Sequence, residues 1–96
     1  MAKGYWIAHV HVTEPVEYQK YAGGAPEAFA AYNAKILARG GQYTEAEGGL
    51  GRERHVVIEF PSYQAALDCY NSAEYQAARA FRTEAGVATI VLVEGV

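Results

Sequence analysis

The chain predicts an α+β sandwich of the ferredoxin-like kind, β-α-β-β-α-β, with a four-stranded antiparallel sheet in the order 4-1-3-2 and both helices on one face. Three observations predict it. Two segments, Tyr5 to Val12 and Arg54 to Phe60, alternate with period two, each with one clean apolar parity. A further segment, "ATIVLVEG" at 88 to 95, is a nearly continuous apolar run. Between them lie two stretches of helical spacing long enough to cross a sheet, and right-handed crossovers then favour the split arrangement.

In strand one, Trp6, Ala8, Val10 and Val12 form one parity, and Tyr5, Ile7, His9 and His11 form the other. Thr13 before "EPVEYQKY" has the order of a helix start: a capping hydroxyl, an early acid, and Pro15 where a missing N–H costs nothing. "AGGAP" at 22 to 26 predicts a kink or restart, because an interior glycine costs about 1 kcal/mol and Pro26 disfavours a helical Ala25. A second helical piece is expected beyond it, with Phe29, Tyr32, Ile36 and Leu37 on one stripe and "RGG" at 39 to 41 as its stop. "QYTEAEG" at 42 to 48 predicts a short polar edge strand, and "GGLGRE" a turn.

Strand three, Arg54 to Phe60, sets Val56, Ile58 and Phe60 on one face and His55, Val57 and Glu59 on the other. Pro61 ends it. Ser62 is placed to cap a helix that carries Tyr63, Ala66, Leu67 and Tyr70 on one face, and Ser72 supplies a second cap before Tyr75, Ala78 and Phe81 or Arg82.

Ninety-six residues bound the chain to one domain, 1–96, and one core. With 51% hydrophobic and 20% charged residues, disorder is excluded. A net charge of -3 with only 8 scattered Lys and Arg excludes a nucleic-acid surface. No run approaches the roughly 18 apolar residues of a membrane span, and "MAKGYWIAHVHV" reads as a strand rather than a leader. No membrane partner is expected. The lone Cys69 has no internal disulfide partner and fits a reducing compartment, so a cytoplasmic location is expected.

The helices should cover Trp6, Ala8, Val10, Val56, Ile58 and Phe60. The opposite face then holds Tyr5, Ile7, His9, His11, His55, Val57 and Glu59, a mixture too apolar to be left in water. It predicts a two-fold homodimer in which two such faces pack together around a chamber for a small, partly apolar ligand. Glu59, desolvated there, is the leading candidate as a proton acceptor, with His9 or His55 orienting a carbonyl or phenolic oxygen. The competing role is structural pairing with an arginine or tyrosine across the dimer.

His9 and His11 lie two residues apart on one strand face, a spacing open to metal ligation with Glu59 or His55 as a third ligand, but interfacial hydrogen bonding is the favoured role. Neither metal nor cofactor is expected. Tyr5 joins the pocket candidates through its shared face. Arg39 is expected at the end of the first helix, where the dipole favours a cation, and is a candidate anion binder. Tyr18, Tyr21, Tyr32, Tyr63, Tyr70 and Tyr75 read as core-lining. Ser62 reads as a cap and Cys69 as a small buried hydrophobe, so no nucleophile stands out. "GGLG" lacks the Lys and Ser or Thr of a phosphate cradle.

"IEFPS" at 58 to 62, "ARGG" at 38 to 41, "NSAEYQAAR" at 71 to 79 and "VEG" at 93 to 95 together resemble the domain-of-unknown-function 1330 family over nearly the whole chain. The resemblance implies a dimeric α+β barrel, two ferredoxin-like protomers packed sheet against sheet. That superfamily includes small cofactor-independent monooxygenases, chlorite-dismutase-like haem proteins and muconolactone-isomerase-like enzymes, but the family itself implies no established reaction. The chain departs from the family pattern at Ala73, where Pro is common, and at His11, where an acid is common; the family has no fixed histidine at the place of His9.

Overall fold

The computed structural model describes residues 2–96. In chain order the elements are β1 (Gly4–Val12), α1 (Pro15–Ala31), β2 (Lys35–Arg39), β3 (Arg54–Phe60), α2 (Tyr63–Tyr70), α3 (Ala73–Arg82) and β4 (Gly86–Glu94). The four strands form one antiparallel sheet in the order β2-β3-β1-β4, the predicted order read from its other edge.

The first half of the chain differs from the sequence reading in three places. Thr13 does not cap α1; the N-cap is Glu14, without a side-chain bond, and the Thr13 and Glu14 N–H groups both donate to the Ala85 carbonyl instead. Pro15 takes the first helical turn as expected. Beyond it α1 runs unbroken through Gly23, Gly24 and Pro26. Two interior glycines disfavour a helix by about 1 kcal/mol each, but fully burying a side chain the size of Phe29 returns about 1.5–3 kcal/mol, so packing overrides propensity. Ala25, Ala28 and Phe29 are all buried.

The helix then stops eight residues before the predicted "RGG". Asn33 adopts φ 58°, a left-handed conformation asparagine tolerates. Its N–H bonds the Ala30 carbonyl and the Ala34 N–H bonds Phe29, the paired hydrogen bonds of a Schellman ending. Ile36, Leu37 and Arg39 therefore lie on strand β2, not on a helical stripe. The predicted strand at 42 to 48 is irregular loop, and β2 pairs with β3 through Lys35↔Glu59, Ile36↔Ile58, Ala38↔Val57 and Arg39↔Val56, with a bulge between Ile36 and Ala38.

The second half follows its local signals. Ser62 Oγ accepts from the Ala65 N–H and Ser72 Oγ from the Tyr75 N–H, which caps α2 and α3 as expected. On α2, Ala66 and Cys69 are buried while Tyr63 is exposed, so the inward stripe is shifted from the one predicted. On α3, Arg82 is buried and Phe81 is not; the Arg82 guanidinium lies 5.5 Å from the Tyr21 ring centroid. β4 is open on alternate residues rather than buried throughout.

Trp6 is the centre of the core. Phe29, Phe60, Tyr70 and Tyr75 surround it with ring centroids 4.8–5.7 Å away, and its indole N–H donates to the Ala66 carbonyl at 3.1 Å. Gly4 permits this closure, because a Cβ there would overlap the Ser62 carbonyl at the start of α2.

Candidate functional site

Strand alternation sends Tyr5, Ile7, His9 and His11 of β1 to the face that the helices leave open, and the register decides which neighbour each meets. Tyr5 stands opposite Glu59, Ile7 opposite Val57 and His9 opposite His55 on one side, with Val93, Val91 and Thr89 on the other. Three polar pairs result. The Tyr5 hydroxyl donates to Glu59 Oε1 at 3.2 Å, and the Nδ1 atoms of His9 and His55 share a hydrogen bond at 2.8 Å. His11 Nδ1 meets Glu53 Oε2 at 2.9 Å, while Glu53 Oε1 accepts the Val12 N–H at 2.8 Å.

The electrostatics follow these contacts. Lost hydration, then the hydrogen bond and charge of Glu59, hold the Tyr5 hydroxyl above the usual phenol range. The Val12 N–H and then His11 stabilise ionised Glu53 and bring its carboxyl down to about 2. Tyr43, from the long β2–β3 loop, lies over His55 at 4.6 Å between ring centroids. That loop and the histidine pair enclose an open pocket of about 290 Å³, lined also by Glu45, Glu47 and Leu50.

Five sequence-predicted site residues thus share one face: Tyr5, His9, His11, His55 and Glu59. They do not form one site. Glu59 and His55 are four residues apart on an extended strand, roughly 14 Å at about 3.4 Å per residue, with Val57 between them. Among the described residues no group of three or more His, Cys, Asp or Glu could hold a metal ion.

Arg39 is elsewhere. Because it sits on β2 opposite Val56, it points to the helix-covered side. There it lines a cavity of about 180 Å³ between α1 and the β2–β3 half of the sheet, together with Arg54, Val56, Ile36 and the α1 residues Tyr18, Tyr21, Ala25, Pro26 and Phe29. The cavity walls are largely apolar. The sequence reading missed it, because Arg54 at the start of strand three, beside the preceding turn, reads as solvated and Ile36 reads as a helical residue. The available signal was the single-face parity of Arg54, Val56 and Ile58.

Cys69 is fully buried on α2, with Sγ 3.7 Å from the Ala28 carbonyl oxygen, and burial followed by the nearby Glu74 pushes its thiol up to about 12. It is a packing residue with no thiolate to offer. Burial also raises the hydroxyls of Tyr21 and Tyr75, which hydrogen-bond each other at 3.0 Å. No helix of the described residues is long and apolar enough to cross a membrane.

One antiparallel sheet with helices on one face and the other left open defines the ferredoxin-like class of α+β proteins. Within that class the chain belongs to the family of the domain of unknown function DUF1330, whose model matches residues 3–96. No curated protein matches it.

Similar solved structures include a protein of unknown function from Rhodopseudomonas palustris, 15% identical with a TM-score of 0.78 over 99% of this chain and 83% of that one. A dimeric ferredoxin-like protein of unknown function from Thermobifida fusca YX is 13% identical, with a TM-score of 0.66 over 99% and 92% of the two chains. SnoaB, a cofactor-independent oxygenase from Streptomyces nogalater, is 10% identical, with a TM-score of 0.66 over 97% and 92%. At such identities the likeness is one of fold.

Proposed function

We propose that this protein is a cytoplasmic homodimer, joined through the helix-free faces of its sheets, that binds a small and partly apolar molecule. The enclosed cavity beneath α1 carries the binding reading. Its volume suits one ring or a short chain, and its walls are largely apolar, with Arg39 and Arg54 at one side. A chamber between the sheets would take in the more open pocket beside His9 and His55, with the partner face as its roof.

The assembly rests on the open face. Val87, Val91 and Val93 are 51%, 52% and 41% exposed in one protomer, in line with the half-buried Ile7 and Val57. A second copy is the simplest cover for such a band, and two of the similar solved structures are described as dimeric. The polar residues of this face satisfy one another in pairs, which favours a role in fixing the interface over a reaction. The alternative, with Glu59 as proton acceptor beside a histidine, is weakened by the separation between Glu59 and the His9–His55 pair.

Sedimentation tests the assembly: a dimer is expected, and a monomer at micromolar concentration would overturn it. For the cavity, titration with benzyl alcohol followed by amide NMR is expected to shift Ala25, Phe29, Ile36 and Val56. Shifts confined to His9, His55 and Tyr43 would move the site to the other face.

A further inference from the structure

Arg39 and Arg54 reach the same side of the sheet by register. Arg39 stands opposite Val56, and Arg54 lies two residues from Val56 on the same strand face, which makes the two arginines diagonal neighbours at roughly 7–8 Å between Cα atoms. Both line the cavity beneath α1. The Arg54 guanidinium lies 5.5 Å from the Tyr18 ring centroid and so close to Gly40 that a Cβ there would come within 2.6 Å of Nη1; Gly40, at φ 66°, leaves it room.

Neither guanidinium has an acidic partner. Among the described residues the side-chain ion pairs are Lys20–Glu17 and His11–Glu53, and no Asp or Glu lines this cavity. The Arg54 Nε is buried and without a hydrogen-bond partner, as are the Nε atoms of Arg52, Arg79 and Arg82, which do not line this cavity. No arginine forms an ion pair among the described residues, and what sets Arg39 and Arg54 apart is that these two neighbouring cations line one largely apolar cavity. They leave a place for an anion from outside the chain.

We infer that the cavity beneath α1 takes a small monocarboxylate with an apolar body, its ring or chain between Phe29, Ile36 and Val56 and its carboxylate held by Arg39 and Arg54. Planar guanidinium groups match a carboxylate with two parallel hydrogen bonds, which sets the anion at the arginine end. The volume sets the body: about 180 Å³ compares with the engineered apolar cavity of about 150 Å³ that admits benzene. A benzoate-sized acid fits this volume. The inference rests on the cavity reading above and adds the charge and size of the ligand to it.

Calorimetric and NMR titrations with benzoate, benzyl alcohol and acetate test it on the intact chain. Benzoate is expected to bind at least tenfold tighter than either, because benzyl alcohol lacks the charge and acetate lacks the body. Arg39→Gln, at an exposed position on β2, should weaken benzoate at least tenfold and leave benzyl alcohol unchanged; Arg54→Gln should do the same, with far-UV circular dichroism reporting its folding. Benzoate binding no tighter than benzyl alcohol, or untouched by Arg39→Gln, would overturn the carboxylate assignment while leaving the cavity a binding site. Failure of all three probes would sink both.

Discussion

On β1 the even residues Trp6, Ala8 and Val10 are buried under the helices, while Tyr5, Ile7 and His9, their immediate neighbours, remain partly in water. One strand serves two solvents. Beneath the helices, aromatic rings interlock around Trp6, and its polar atom is bonded to the Ala66 carbonyl. On the open side, polar groups join in cross-strand pairs and valines stay exposed. The covered face holds the protomer together through packing density, so it should tolerate little change; in the proposed dimer the open face meets a second copy, so changes there should alter association before stability.

The largest effect is expected at Trp6. Trp6→Ala should destabilise the protomer by about 3–5 kcal/mol, measured as a lowered urea midpoint, because the four rings around it cannot close the void. An equal loss from Val91→Ala would erase the distinction between the faces. Val91→Lys should instead weaken the dimer roughly a hundredfold, or about 3 kcal/mol at 1.4 kcal/mol per tenfold, with the far-UV spectrum preserved. Sedimentation across a concentration series checks it; an unaltered dimer would place the interface elsewhere.

A smaller change is expected from Tyr5→Phe, which removes the hydrogen bond to Glu59 and should lower stability by less than either change above, without affecting the proposed binding under α1. A benzyl alcohol titration of this variant that differed from wild type would couple the two faces.

The smallest effect concerns Glu53, where a partly exposed contact ties the end of the β2–β3 loop to β1. Its carboxyl lies near 2 in the folded chain against an ordinary 4.5, so the unfolded chain takes up its proton first as pH falls. The contribution is therefore full above about 4.5 and fades as pH drops through about 2. Comparing thermal unfolding of wild type and Glu53→Gln across that range should show a difference at the upper end that closes at the lower end. A constant gap would remove Glu53 as the cause.

Strand boundaries at β1 and β3 and the caps at Ser62 and Ser72 were legible in the residues, because period-two alternation and cap hydroxyls act over a few positions, and the strand order followed from crossover handedness. β2 was not. "KILAR" continues the helical stripe of Phe29 and Tyr32, and nothing local to it outweighs that; the left-handed turn at Asn33 and the pairing edge of β3 do. That single displacement carried Arg39 from a helix end to a cavity wall. Similarly, "AGGAP" reads as a break by propensity, and only contact with the core explains why α1 continues past it.

Residue order alone was enough to specify which side chains would face inward and which outward on the central strands, since alternation is a property of each strand by itself. Which of those side chains would meet was settled by the folded chain. The pairing of Tyr5 with Glu59 and of His9 with His55, and the nearness of Arg39 to Arg54, depend on register between separate strands, and register is a property of the assembled sheet rather than of any one strand.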